Sequence, residues 1–204
     1  KNTQAAQWTA PEGATGGFIE IKTGQSEVMS SGQIQVASGN AFGEEASSGD
    51  IEVGTGSAAA STSGSIAFKS GSASIGNAGS INVQIGSSTA SIGNDLMLQA
   101  GASASATGGS VVLNSGASSS STSGSVTIAS PNAPSSGEIT MTTGDSSTGS
   151  SGTVSISTGN SKTSNSGDIK ILAGTGATVG GSLSMFAGNS TKATGGSLRL
   201  SSGF

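Results

Sequence analysis

An eight-residue unit, glycine-x-aliphatic-x-aliphatic-x-small-glycine, returns thirteen times in this 204-residue chain and limits what it can fold into. Residues 152–159, G-T-V-S-I-S-T-G, are a clean copy. The copies open at Gly17, Gly32, Gly49, Gly64, Gly79, Asn94, Gly109, Gly124, Gly137, Gly152, Gly167, Gly181 and Gly196. The spacing is 15 residues in nine of the twelve steps, with 17 after Gly32, 13 after Gly124 and 14 after Gly167. Self-similarity at a short fixed period marks a repeat architecture. The irregular steps alter the connecting arc and leave the unit intact.

The third position reads Ile19, Ile34, Ile51, Ile66, Ile81, Leu96, Val111, Val126, Ile139, Val154, Ile169, Leu183 and Leu198. The fifth reads Ile21, Val36, Val53, Phe68, Val83, Leu98, Leu113, Ile128, Met141, Ile156, Ile171, Met185 and Leu200. All 26 are apolar in a chain that is 32% hydrophobic, so the columns are not accidents of composition. Apolar residues at a period of two predict strand. The seventh column is mostly small (Thr23, Ser38, Thr55, Ser70, Ile85, Ala100, Ser115, Ser130, Thr143, Thr158, Ala173, Ala187, Ser202), and glycine follows it everywhere except at Pro131. Small side chains followed by glycine or proline suit a corner, where glycine admits positive φ.

One strong strand and one weak arm per 15 residues predict an all-β fold, a single parallel β-solenoid (β-helix) of about thirteen 15-residue coils. Residues 1–16 form an N-terminal arm or cap and residues 17–204 the solenoid domain in this reading. Coils stacked about 4.8 Å apart would give a rod roughly 60 Å long. Glycine, serine and threonine in such abundance would suggest disorder if the columns were absent.

The residue types that are missing exclude several functions. There is no cysteine and no histidine, which removes thiolate zinc sites, disulfides and histidine catalysis. No run reaches the length of a membrane span, so membrane insertion is not expected. A net charge of −4 with only seven basic residues offers nothing to a phosphate backbone, and no nucleic-acid partner is expected. The chain opens on Lys1 with no signal-like segment, which suggests a processed product or an excised piece.

The ends of such a rod would need covering. Residues 1–16, with the chain's single tryptophan, Trp8, fit a cap, or else a segment that docks on another molecule. The thirteenth copy is followed only by Phe204, and residues 10–16, which include Pro11, have the length and composition of the arm it lacks. One subunit's arm completing the last coil of the next would give a head-to-tail filament by strand addition. A longer chain cut at Phe204 is the alternative.

Outward positions supply further contact candidates. Residues 1–102 hold eight acidic and three basic side chains, and residues 103–204 hold three and four. Glu20 beside Phe18 near the start and Arg199 near the end would then meet favourably across a head-to-tail joint, though exposed pairs add little. Met97 with Val112 in the fourth column, and Leu172 with Phe186 in the sixth, would form apolar patches for lateral packing. An ordinary solvated surface accounts for the charges nearly as well. Ala41-Phe42-Gly43-Glu44-Glu45 in the 17-residue step reads as a tolerated surface insertion.

No catalytic machinery is visible, and no enzyme is expected. Asp50, Asp95, Glu138 and Asp168 share the second column but lie in copies too far apart to work as an acid/base pair. Aspartates do not recur in every turn as calcium-binding nonapeptide repeats require. Gly108-Gly109 and Gly195-Gly196 precede strands and not helices, which disfavours phosphate cradles. No metal, cofactor or catalytic residue is assigned. A threonine ladder for ice is broken by charge and bulk, since Thr140 and Thr142 are followed by Ser155 and Ser157, then Lys170 and Leu172, which leaves ice binding only as part of an alternative reading. One N-glycosylation sequon, Asn189-Ser190-Thr191, lies in a connecting arc.

The unit G-x-aliphatic-x-aliphatic-x-small-G with Ser/Thr-rich arcs, as in GGSVVLNSG (residues 108–116) and SGTVSISTG (residues 151–159), resembles the Gly/Ser-rich repeats of large surface proteins in stramenopile algae and oomycetes. Those lineages carry tubular flagellar hairs, the mastigonemes. More loosely, the unit resembles bacterial solenoid adhesins. The resemblance covers nearly the whole chain from Gly17 onward and implies an extracellular or cell-surface structural protein, with no functional residues carried over. The expected function is a structural subunit of an extracellular filament or surface appendage. It would assemble head-to-tail, laterally or both, with copies of itself or other filament subunits, and carry glycans. An adhesin or ice-binding module acting through one flat face is the alternative.

Overall fold

A computed structural model describes residues 16–203. The chain divides into two units, Lys1–Gln99 and Ala100–Phe204. The division falls within the sixth copy of the repeat, between its sixth and seventh positions.

Among the described residues there is neither helix nor strand, which overturns the expectation of a parallel β-solenoid. The all-β, β-helix reading is therefore corrected. No sheet ladder forms among the described residues, so the stacked coils that head-to-tail strand addition by the N-terminal arm requires are not seen. That arm, with Trp8 and Pro11, lies outside the described residues, as does Phe204. No side chain among the described residues is buried.

The physical reason lies in what a period of two can and cannot specify. Alternation decides which side chains share one side of an extended segment. It does not supply a neighbouring segment for the N–H and C=O groups between them. Two aliphatic side chains in each 15-residue repeat are little apolar area with which to offset the ordering of the whole repeat. The parity nevertheless persists as a gradient. The third-column Ile66 and Val111 are 47% and 58% exposed, whereas the even-column Leu172 and Phe186 are 84% and 91% exposed.

What the structure builds instead is a loop. Five backbone-to-backbone hydrogen bonds join described residues, and four of them close the arc between consecutive units. Gly109 N donates to Gly101 O, Gly124 N to Gly116 O, Gly181 N to Gly174 O and Gly196 N to Gly188 O, each at 2.9 Å. In every case the eighth-position glycine of one unit accepts from the first glycine of the next. The fifth bond, Ala46 N to Gly43 O at 3.1 Å, closes a turn in the inserted residues of the long step.

Closure depends on small residues meeting at the neck of the loop. A Cβ on Gly109 would lie 3.3 Å from Ala100 Cβ, and one on Gly152 would lie 3.1 Å from Thr143 Cγ2. The seventh-column side chain thus packs against the opening glycine of the following unit. Ala100 and Ser130, both in the seventh column, are the two half-buried residues among those described. Three seventh-column hydroxyls also donate across the neck: Thr23 Oγ1 to Gly32 O at 3.1 Å, Ser130 Oγ to Gly137 O at 2.9 Å, and Thr143 Oγ1 to Gly152 O at 3.5 Å.

Positive φ is not what the eighth-position glycines contribute, contrary to the sequence expectation. Among the described residues only Gly76, in the interior of its loop, has positive φ, at 95°. The necks need glycine for close approach. Gly109→Ala is expected to open the 101–109 loop and speed solvent exchange of the residue 109 amide several-fold, whereas Gly39→Ala, which meets open space, leaves neighbouring amides unchanged. Hydrogen exchange by NMR measures both.

Candidate assembly surface

The candidate surface is built from the aliphatic segments that join the loops. In an extended segment the odd positions share one side and the even positions the other. The charged residues within the segments, among them Glu20, Lys22, Asp50, Glu52, Lys69, Asp95, Glu138, Asp168, Lys170 and Arg199, all occupy even positions. The odd side therefore presents isoleucine, valine and leucine with no charge among them. Every described large apolar residue is exposed, the least so being Ile85 at 42%.

Local pairing accounts for two of the cations. Lys22 Nζ contacts Glu20 Oε1, and Lys170 Nζ lies 3.6 Å from Asp168 Oδ2. Both pairs are two residues apart on the even side and are well exposed. Each contributes little stability but neutralises charge along that side. Arg199 makes no ion pair with a described residue.

The remaining contact candidates stand as follows. Phe18 is 83% exposed and, with Gly16, Gly17 and Ile19, lines a recess of about 480 Å³ whose described lining has no polar side chain. Met97, Val112, Leu172 and Phe186 are each exposed apolar side chains. The ladder that was to align them in pairs is not formed. Among the described residues no group of three or more acidic side chains comes together as a metal site, and no helix is long and apolar enough to cross a membrane.

The sequence reading missed a third functional column, in the loops. The tenth position of the repeat is serine in seven of the twelve arcs: Ser26, Ser88, Ser103, Ser118, Ser146, Ser161 and Ser190. In all seven the serine Oγ accepts a hydrogen bond from the backbone N–H three residues on, at 2.9 to 3.1 Å. Ser118 and Ser190 also accept from the N–H two residues on, both at 3.3 Å. A hydroxyl oxygen that captures a nearby N–H pre-forms a turn. Where Ala41, Ala58, Ala73, Ala133 or Gly176 takes the position, this bond is impossible. At Gly176 an added Cβ would collide with the Val179 carbonyl, so that loop tightens by close backbone approach instead. The signal was available as a periodic serine, but abundant serine elsewhere in the arcs concealed it.

Ser118→Ala, which removes the acceptor for both the Ser120 and the Ser121 amides, is expected to weaken the turn at residues 118–121 by about 1 kcal/mol, mostly through loss of the shorter bond. Ser119→Ala should have no effect. The temperature coefficient of the Ser121 amide distinguishes them, steepening only in the first variant. Comparison of the chain with family models, with curated proteins and with solved structures finds no match.

Proposed function

We propose that this protein is a structural subunit of an extracellular filament or surface appendage, and that it polymerises with copies of itself through its aliphatic segments. The observation that carries the reading is the uncharged odd side of those segments, apolar at its third and fifth positions in every copy and exposed among the described residues. Exposed apolar surface that recurs at each repeat suits a partner with the same repeat. Among the described residues, backbone groups of these segments also have no backbone partners beyond the loop necks. A second copy can satisfy both needs.

Charge favours pairing of unlike units. Lys1–Gln99 carries eight acidic and three basic residues, a net charge of −5, and Ala100–Phe204 carries three and four, a net of +1. The two account for the chain's −4. Contact between the acidic unit of one copy and the other unit of the next therefore avoids like-charge repulsion, which selects a head-to-tail order more than it adds affinity. The likeness of the repeat to Gly/Ser-rich surface proteins of flagellated stramenopiles supports the same reading.

Sedimentation velocity and electron microscopy over a concentration series test it. Assembly into species of increasing length is expected. Val154→Asp with Ile156→Asp, which places charge on the odd side, should suppress assembly at least tenfold in concentration, while Ser155→Asp on the even side should not. A monomer at all concentrations, or equal effects from both variants, would reject the reading.

A further inference from the structure

We propose that the ninth position of the loop presents asparagine for N-glycosylation, and that Asn189 is the chain's attachment site. In its native setting this rests on the extracellular reading, because the modification occurs in a secretory lumen. Asn189 follows Gly188, whose carbonyl is tied to Gly196 N at 2.9 Å, so the residue sits at the base of a closed loop. The next residue, Ser190, has its Oγ engaged by Lys192 N at 3.3 Å and Ala193 N at 2.9 Å. Thr191, the hydroxyl residue of the sequon, makes no hydrogen bond to a described residue, and residues 189–191 are exposed. The neighbouring hydroxyl therefore holds the turn, and the hydroxyl that a transferase must read stays available.

The chemistry is a group transfer. The Asn189 side-chain nitrogen attacks the anomeric carbon of a lipid-diphosphate-linked oligosaccharide. A carbon–nitrogen bond forms, the carbon–oxygen bond to the diphosphate breaks, and the lipid diphosphate leaves with the electron pair while the amide gives up one proton.

The repeat carries its own control. Asn160 occupies the same ninth position, and Ser161 Oγ accepts from Ser164 N at 3.0 Å as Ser190 Oγ does from Ala193 N. Within the Asn-Ser-x triplet only the residue two places on differs, Lys162 in one loop and Thr191 in the other, while the 159–167 loop has no backbone bond at its neck corresponding to Gly196 N to Gly188 O. If the loop presents the asparagine, Lys162→Thr creates a second site.

The full chain, directed to the secretory pathway of a eukaryotic cell by an added leader, is the test material, so that the outcome does not depend on native localisation. The secreted protein should lose the mass of one glycan on N-glycosidase treatment, with Asn189 converted to aspartate in the tryptic peptide 171–192. Asn189→Gln and Thr191→Ala should abolish both signals, Thr191→Ser should retain them, and Lys162→Thr should carry two glycans. A secreted wild-type chain with Asn189 unconverted would overturn the assignment. A Lys162→Thr chain still carrying one glycan would overturn the role of the loop position. The same peptide from native material addresses the extracellular reading separately.

Discussion

Closure of the loops at necks where a small seventh-column side chain meets an opening glycine is the interaction on which the rest of this structure depends. The opening glycine of one unit lies against the seventh side chain of the unit before it. Its backbone, where the geometry is best, is hydrogen-bonded to the glycine that follows that side chain. Such contacts span only seven to nine residues, so they cost little chain entropy to form. They organise the chain locally without requiring any repeat to find its neighbour's extended segment.

The segments between the necks are left with alternation but no ladder. Their odd side is aliphatic in every copy, and their even side takes the charges, two of which are matched by cations two residues away. A chain made this way has regular local geometry and unfinished apolar surface. In the proposed assembly the partner is a second copy of the same chain, whose spacing would fit, and the unequal charge of the two units would give the pairing a direction.

Much of this organisation was legible in the residues, and the limits of that legibility have physical causes. The period, the corners and the two aliphatic columns could be read because each is a local property of side-chain type. Apart from Ile19, the third-column residues such as Ile66 and Val111 are less exposed than Leu172 and Phe186 on the other parity. The β-solenoid did not follow, because pairing of backbone groups between repeats is a non-local property that alternation cannot fix. Glycine at the necks was read as conformational freedom when its use is close approach, as Gly109 against Ala100 and Gly152 against Thr143 show. The turn-forming serines, such as Ser118 and Ser190, were hidden by identical neighbours that do not share their role.

Among the described residues the aliphatic segments have no backbone partners beyond the loop necks, and the proposal is that they acquire them from other copies. Amide hydrogen exchange by mass spectrometry, resolved to residues such as 152–159 and compared between dilute and concentrated protein, tests it most directly. At dilution these segments should exchange at nearly the rate of an unstructured peptide, and they should become protected as concentration rises. Strong protection at dilution that does not change with concentration would mean that the segments are already paired within the chain, and would contradict the account.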